Sequence, residues 1–339
     1  MNILDNNAYR MLYDFIRRNK TLNHLAHKII QSEKVLRIRP YRSVYSGMIS
    51  KKAKNLMFKP RVLEFEVTNK CNARCIMCAP EVHLGSDMID FEVFSKIATE
   101  ASELGIRRMA LTGGEPLMHK QIFEMIRLAK SLDFEYVHMF TNGSLMHDVK
   151  QKELLESGLD SLTVSFDSAI KEEYEKIRLQ LNYDKVVNNI KGVYKMRNDL
   201  RQVSPVIRVN MVALPENRSS RHLFVETFEQ HSDIVEIMEA HNFAEKMTID
   251  MIGREYTQTS RYPCHLLFIK AVVNPHGFLK KCSIDYSPGA KMADLKEISL
   301  ESALVNSRIN QIKRNHLRGD YTEPGCAHCD HIESWWIDC

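Results

Sequence analysis

The chain has 339 residues, 44% of them hydrophobic and 27% charged, with a formal net charge of +4, enough for one large domain or two ordinary ones. No run of about 18 apolar residues occurs, which excludes a membrane-spanning helix of ordinary length. The opening Met1-Asn2-Ile3-Leu4-Asp5 lacks the basic segment and apolar core of a secretory signal. Eight cysteines in such a chain point to metal ligands before disulfides, in a reducing, cytoplasmic setting.

The charge is uneven. Residues 1–60 carry 13 Lys and Arg against 3 Asp and Glu, a net +10, whereas the remainder carries 34 against 40, a net −6. This basic stretch is expected to be helical. Tyr9, Leu12, Tyr13 and Ile16 share one face, and Leu22, Leu25 and Ile29 share another. Pro40 breaks the run, and Met48, Ala53, Leu56 and Met57 suggest one more short helix. The apolar faces pack on the next domain. The positive charge is either a solvated face or a contact for a phosphate-bearing substrate or a membrane surface.

From Arg61 strands alternate with helices. Residues 62–68 form a strand, followed by a helix with Phe91, Phe94, Ile97, Ala98 and Ala101 on one face and Asp90 as its N-cap. Residues 108–112 form the second strand, and Ile122, Met125, Ile126 and Ala129 mark the next helix. Strands at 136–140 and 162–166 flank a helix that closes over 154–159. Val186, Ile190, Val193 and Tyr194 precede strands at 206–212 and 234–238. Such repeats build a parallel sheet through right-handed crossovers, with functional residues on the loops after the strands.

The first of those loops is Thr68-Asn69-Lys70-Cys71-Asn72-Ala73-Arg74-Cys75-Ile76-Met77-Cys78. Three thiolates spaced C-x3-C-x2-C can reach one small iron cluster. They leave one corner of a four-iron cube without a protein ligand, an open position for a substrate or cosubstrate. The same residues also admit a zinc knuckle, with His83 the nearest further donor, or plain buried thiols. The spacing resembles the cluster loop of the radical S-adenosylmethionine (radical SAM) superfamily, C-x3-C-x-aromatic-C. Met77 stands where that family has an aromatic residue leaning on the adenine of SAM. Its polarisable thioether can make a similar contact.

Further loops extend the resemblance. Thr112-Gly113-Gly114-Glu115-Pro116 matches the family turn that takes the amino group of SAM, with Glu115 the implied ion-pair partner. Thr141-Asn142-Gly143 matches a turn below the cosubstrate, although Asn-Gly also makes a plain type I′ turn. Ser165 and Asp167 alternate onto one side of their strand, where relatives contact the ribose or carboxylate of SAM. Arg178 lies where relatives place a carboxylate-binding arginine; a surface salt bridge is the alternative. Asn210 points by register toward the barrel mouth. The resemblance implies a [4Fe-4S] cluster on Cys71, Cys75 and Cys78 and an α/β fold: a partial (β/α)6 barrel over 61–254, an N-terminal helical extension over 1–60, and a Cys-rich extension over 255–339.

In that last part Cys264, Gly277, Cys282, Cys326 and Cys329 follow the pattern C-x12-G-x4-C then C-x2-C. Asn274-Pro275-His276-Gly277 is a turn, flanked by strands at 270–273 and 278–281 that bring Cys264 and Cys282 together. The pattern resembles the SPASM/Twitch extension of radical SAM enzymes. Five cysteines rather than seven favour the shorter Twitch form, as in aminocyclitol dehydrogenases. One auxiliary [4Fe-4S] cluster is then implied on Cys264, Cys282, Cys326 and Cys329, with a structural zinc as the competing reading. Cys339 is left over, and Trp335 and Trp336 line the pocket or pack on the extension.

Carried over, the resemblance implies reductive cleavage of SAM to a 5′-deoxyadenosyl radical, hydrogen abstraction from a positioned C–H, and loss of an electron to the auxiliary cluster. An electron donor such as flavodoxin or ferredoxin is implied. The oxidation also needs a base. Relatives carry an Asp directly after the second cysteine of this region, where Ser283 stands here. Asp285 is the candidate, with His265, His276 and Lys281 behind it. No strand-rich peptide-binding module is visible, which favours a small polar substrate, sugar- or cyclitol-like, phosphorylated or nucleotide-linked. No nucleic-acid site is expected. The rivals are a peptide maturase that recruits its leader through a separate partner, and a non-catalytic metal scaffold; methylation, epimerisation and crosslinking are left open.

Overall fold

The computed structural model describes residue 47 and residues 49–79, 85–244, 246–247, 262–305 and 307–329. The expectations for the helices before residue 47, Met48, His83, Trp335, Trp336 and Cys339 lie outside the described residues.

The organising strand is β1 (Val62–Thr68), buried along its whole length. Leu63, Phe65 and Val67 join the hydrophobic core, while Glu64, Glu66 and Thr68 alternate onto the other face. A strand buried on both faces belongs inside a sheet, and β1 pairs in parallel with one strand on each side. Chain order continues through β2 (Arg74–Cys75), β3 (Arg108–Gly113), β4 (Tyr136–Thr141), β5 (Ser161–Ser165), β6 (Arg178–Leu179), β7 (Val206–Ala213) and β8 (Ile234–Glu239). The chain then adds β9 (Lys270–Val273), β10 (Phe278–Lys280) and β11 (Lys291–Asp294). The main sheet has the order β11-β10-β9-β1-β3-β4-β5-β7-β8, and β2 pairs only with β6. From β1 to β8 every neighbour in the main sheet is parallel. All six expected barrel strands are present, and among the described residues the sheet ends at β8 and β11.

Helices cover the apolar face. The first, α1 (Phe91–Glu103), starts where the Asp90 side chain accepts from the backbone N–H groups of Glu92 and Val93, satisfying donors the helix leaves unpaired. It buries Phe94, Ile97, Ala98 and Ala101, and Phe94 meets Phe65 with ring centroids 4.5 Å apart. The second, α2 (Ile122–Ser131), buries Ile122, Phe123, Met125, Ile126 and Ala129. The helix expected to close over 154–159 runs Asp148–Glu156; Gly158, at φ 86°, takes the left-handed turn beyond it.

The sheet does not break at the expected boundary of 254/255. β9 lies parallel to β1, with Val62 opposite Lys270, and so covers what would be an exposed edge. β9 and β10 form the expected antiparallel hairpin, and Gly277 adopts φ 82° in its turn.

The inner face of the sheet is polar. Lys270 Nζ lies 2.7 Å from Glu64 Oε2, Lys280 Nζ lies 2.6 Å from Glu66 Oε1, and Arg208 pairs with Glu236 at 2.5 Å. His138 Nε2 lies 2.8 Å from Thr163 Oγ1. Burial, with Arg208 and Lys270 close by, pushes His138 down to about 3, so its imidazole is neutral. Removing ions from water costs several kcal/mol per ion. A plain structural core would fill this face with aliphatic side chains.

Candidate active site

The cysteine loop leaves β1 and returns through β2. Thr68 Oγ1 donates to Asp87 O at 2.7 Å, and Arg74 Nη1 donates to the carbonyls of Cys71 and Ala73 at 3.1 and 2.8 Å. Its far end is tied down where the Ile76 N–H donates to Ile177 O at 3.0 Å. The glycine turn after β3 packs straight onto this loop. Gly114 N donates to Thr68 O at 2.7 Å and Glu115 N to Lys70 O at 2.8 Å. Gly113 sits at φ 116°, and a Cβ on Gly114 would fall 2.2 Å from Lys70 O. That oxygen is backbone and cannot swing away. Gly114→Ala therefore displaces the cysteine loop. A displacement near 1 Å costs about 100-fold in rate at a positioned centre. We expect a loss of that order in SAM-dependent deoxyadenosine formation with little change in melting temperature, measured side by side.

Cys71, Met77, Gly113, Gly114, Asn142, Ser165 and Arg178, together with Cys75 and Cys78, line one cavity of about 240 Å³. They come from the ends of β1, β3, β4 and β5 and from the β2–β6 pair, so the expected convergence at the strand ends is present. Phe140, Met238, Glu239, His241 and Phe243 complete the wall. Sequence reasoning missed them, because a lone aromatic or methionine after a strand carries no spacing signal.

Four candidates do not line the cavity. Glu115 is fully buried. Its carboxylate accepts from Leu117 N at 3.0 Å, Thr141 Oγ1 at 2.7 Å and Asn142 N at 2.7 Å. It ties the glycine turn to the end of β4, and burial raises its pKa. Asp167, at φ 35°, accepts from Val212 N at 2.7 Å and pairs with Arg178 at 2.6 Å. Arg178 is thus in a buried ion pair, not the surface salt bridge that was the alternative. Asn210 donates to Met238 Sδ at 3.5 Å, one residue removed from the cavity wall. Asp285 is 1% exposed; Lys281 Nζ lies 2.7 Å from it and Ser287 N donates to it at 2.8 Å. Burial opposes its charge, but those two partners hold its pKa below the usual carboxylate range. A Cβ on Gly325 would meet its Oδ2 at 2.5 Å, so Asp285 backs the turn before Cys326. The expectation that it faces the substrate as a base is not met by this placement.

The donor chemistry around the first three cysteines suits an iron–sulfur cluster. Asn142 Nδ2 donates toward Cys71 Sγ at 4.0 Å and Arg178 Nη1 toward Cys75 Sγ at 3.7 Å, as sulfurs carrying negative charge require. The Cys75 thiol is pulled down by a hydrogen bond from Cys78, with Arg178 helping against the opposing effect of burial. The second set also gathers. Cys264 opens a short helix, Cys282 follows β10, and Cys329 N donates to Cys326 O at 3.3 Å. Burial raises the Cys264 thiol, and Cys329, Cys282 and Cys326 each raise it further, so all four lie within electrostatic reach of one another. Burial likewise takes Cys326 up to about 12. Burial raises the pKa of Tyr286, and Glu66, Cys78 and Cys282 are among the groups that add to this. Its ring lies 4.2 Å from Lys280 Nζ.

Residues 65–228 match the model of the Radical SAM superfamily. A protein of Saccharolobus solfataricus described as a probable GTP 3′,8-cyclase is 28% identical over 238 residues, spanning 63% of this chain and 74% of that protein. The fold is similar to the crystal structure of BtrN in complex with AdoMet and 2-DOIA, with a TM-score of 0.54, 14% identity, and coverage of 80% of this chain and 94% of that one. It is also similar to Streptococcus suis SuiB bound to its precursor peptide SuiA, with a TM-score of 0.65, 12% identity, and coverage of 95% and 83%. Among the described residues no helix is long and apolar enough to cross a membrane.

Proposed function

We propose that this chain, which carries a domain of the radical SAM superfamily, is an oxidoreductase of a small polar molecule with a second iron–sulfur cluster on Cys264, Cys282, Cys326 and Cys329. The observation that carries the reading is the placement of one cysteine of each set directly after a strand of the same sheet. Cys71 follows β1 and Cys282 follows β10, with β9 the strand that separates the two in the sheet. When bound, SAM on the first cluster supplies a 5′-deoxyadenosyl radical that removes a hydrogen atom from the substrate.

The chain's own residues bind and orient. Gly113 and Gly114 let the backbone approach the cosubstrate, and Asn142 and Ser165, at the ends of the next two strands, offer polar atoms to the same cavity. Met77 supplies an apolar contact for a flat ring. Phe140 and Phe243 keep water from the reacting centre. Groups that line the cavity and can accept a proton are His241 and Glu239; Asp285 does not line it. A soluble donor of the flavodoxin or ferredoxin class would reduce the first cluster, in the cytoplasm. The divisions 1–60, 61–254 and 255–339 then serve as basic extension, radical generator and electron acceptor.

A nucleotide substrate is the second reading, favoured by the likeness to the probable GTP 3′,8-cyclase. Anaerobic incubation with SAM, dithionite and separate panels of cyclitols, sugars, nucleotide sugars and GTP distinguishes the two. We expect deoxyadenosine release to rise with a sugar or cyclitol, together with a product lighter by two hydrogens. Stimulation by GTP alone, with a product of unchanged mass, would overturn the oxidoreductase reading.

A further inference from the structure

The chain that leaves β8 builds one wall of the cavity and then reaches the second cysteine set. Glu239, Ala240, His241 and Phe243 line the cavity. His241 and Phe243 brace each other: their ring centroids lie 4.1 Å apart, and Phe243 N donates to His241 Nδ1 at 3.3 Å. Phe243 and Ala244 are consecutive residues in the left-handed region, at φ 46° and 54°. Residues with a Cβ rarely hold that backbone, and it persists only where the surroundings fix it. Part of that fixing is internal, with Lys246 N donating to Phe243 O at 3.3 Å and Met247 N to Asn242 O at 3.0 Å. The rest comes from outside. Asn242 Nδ2 donates at 2.7 Å to the carbonyl of His328, within the turn Cys326-Ala327-His328-Cys329. The Phe243 ring also lies 6.3 Å from that of Tyr286.

We propose that Asn242 is a positioning residue: by donating to the loop of the second cysteine set, it holds His241 and Phe243 in the cavity wall and makes cosubstrate binding depend on that loop. This rests on the reading that Cys264, Cys282, Cys326 and Cys329 hold a cluster, which orders the loop. The arrangement follows the order of residues. Two neighbours face the cavity, and the residue between them contacts the cysteine turn. A backbone carbonyl can only accept, so its amide partner must present nitrogen. Without that donation the left-handed pair is held only by its own turn, and the wall it carries can relax away from the cavity. Loss of the second cluster would release the same contact from its other end.

The test is equilibrium dialysis of SAM against the full chain, reconstituted anaerobically, with iron and sulfide counted in each sample. Asn242→Ala should weaken SAM binding about fivefold, the size of one neutral hydrogen bond, at unchanged iron content. Asn242→Asp keeps the size of the side chain but its carboxylate cannot donate, so it should match Asn242→Ala. Cys326→Ala with Cys329→Ala should weaken SAM binding to a similar degree. Adding Asn242→Ala to that pair should cost nothing more, because a single link is then broken from both ends. Wild-type affinity in Asn242→Ala or in Asn242→Asp would overturn the inference. An additive loss in the triple variant would also overturn it, since independent sites add. If the cysteine pair variant fails to load the first cluster, the two Asn242 variants decide alone. About four iron per wild-type chain, in place of about eight, would instead sink the reading of a second cluster, while the Asn242 variants would still report on the contact.

Discussion

Cys75→Ala abolishes SAM cleavage. Cys75 is the most enclosed of the three cysteines, 6% exposed, and it receives the Arg178 guanidinium. Alanine removes one of only three protein ligands available to a cluster that already lacks a fourth. Loss of a partner outside the ligand shell costs roughly 10–100-fold in metal affinity, so loss of a ligand itself costs more. The substitution also leaves Arg178 and Asp167 facing a void where a negative sulfur stood, a penalty for a buried pair. Deoxyadenosine formation under dithionite should fall more than about 100-fold, while iron on the second cysteine set is retained. Cleavage at the wild-type rate would show that the loop is misassigned.

Cys326→Ala combined with Cys329→Ala separates the two halves of the chemistry. These residues stand in the turn after Glu323, whose carbonyl accepts from Cys326 N at 2.8 Å. They do not line the cavity that holds the first three cysteines. The double variant should therefore still cleave SAM, while formation of oxidised substrate stops because the electron has no acceptor. The expected readout is deoxyadenosine without product, at a rate within a few-fold of wild type. Full turnover by the double variant would show that the second cluster is dispensable to the reaction.

The strands were legible because their residues serve two demands at once. In β1 the apolar Leu63, Phe65 and Val67 face the helices and Glu64, Glu66 and Thr68 face inward; the parallel neighbours follow from repeated strand–helix units. The cysteine loop was legible because thiolate spacing leaves few alternatives. The backbone donors of Leu117 and Asn142 that surround Glu115 have no sequence signature, so these protein partners could not be read from the order of residues. The β2–β6 pair was invisible for a similar reason: two-residue strands carry no period, so nothing in the order of residues brings Cys75 to Arg178. Strand alternation put Asp285 on the same side as Ser283 and made it the candidate base. It could not show that Lys281, on the same turn, would take that carboxylate up. The continuation of the sheet into β9 was likewise hidden, because a strand shows its pattern but not its partner.

Anaerobic reconstitution followed by iron and sulfide analysis, with EPR before and after SAM is added, tests the central claim most directly. Two four-iron clusters would give about eight iron and about eight sulfide per chain, with a reducible signal that changes when SAM binds. A colourless protein holding zinc and no sulfide, silent on reduction, would contradict it.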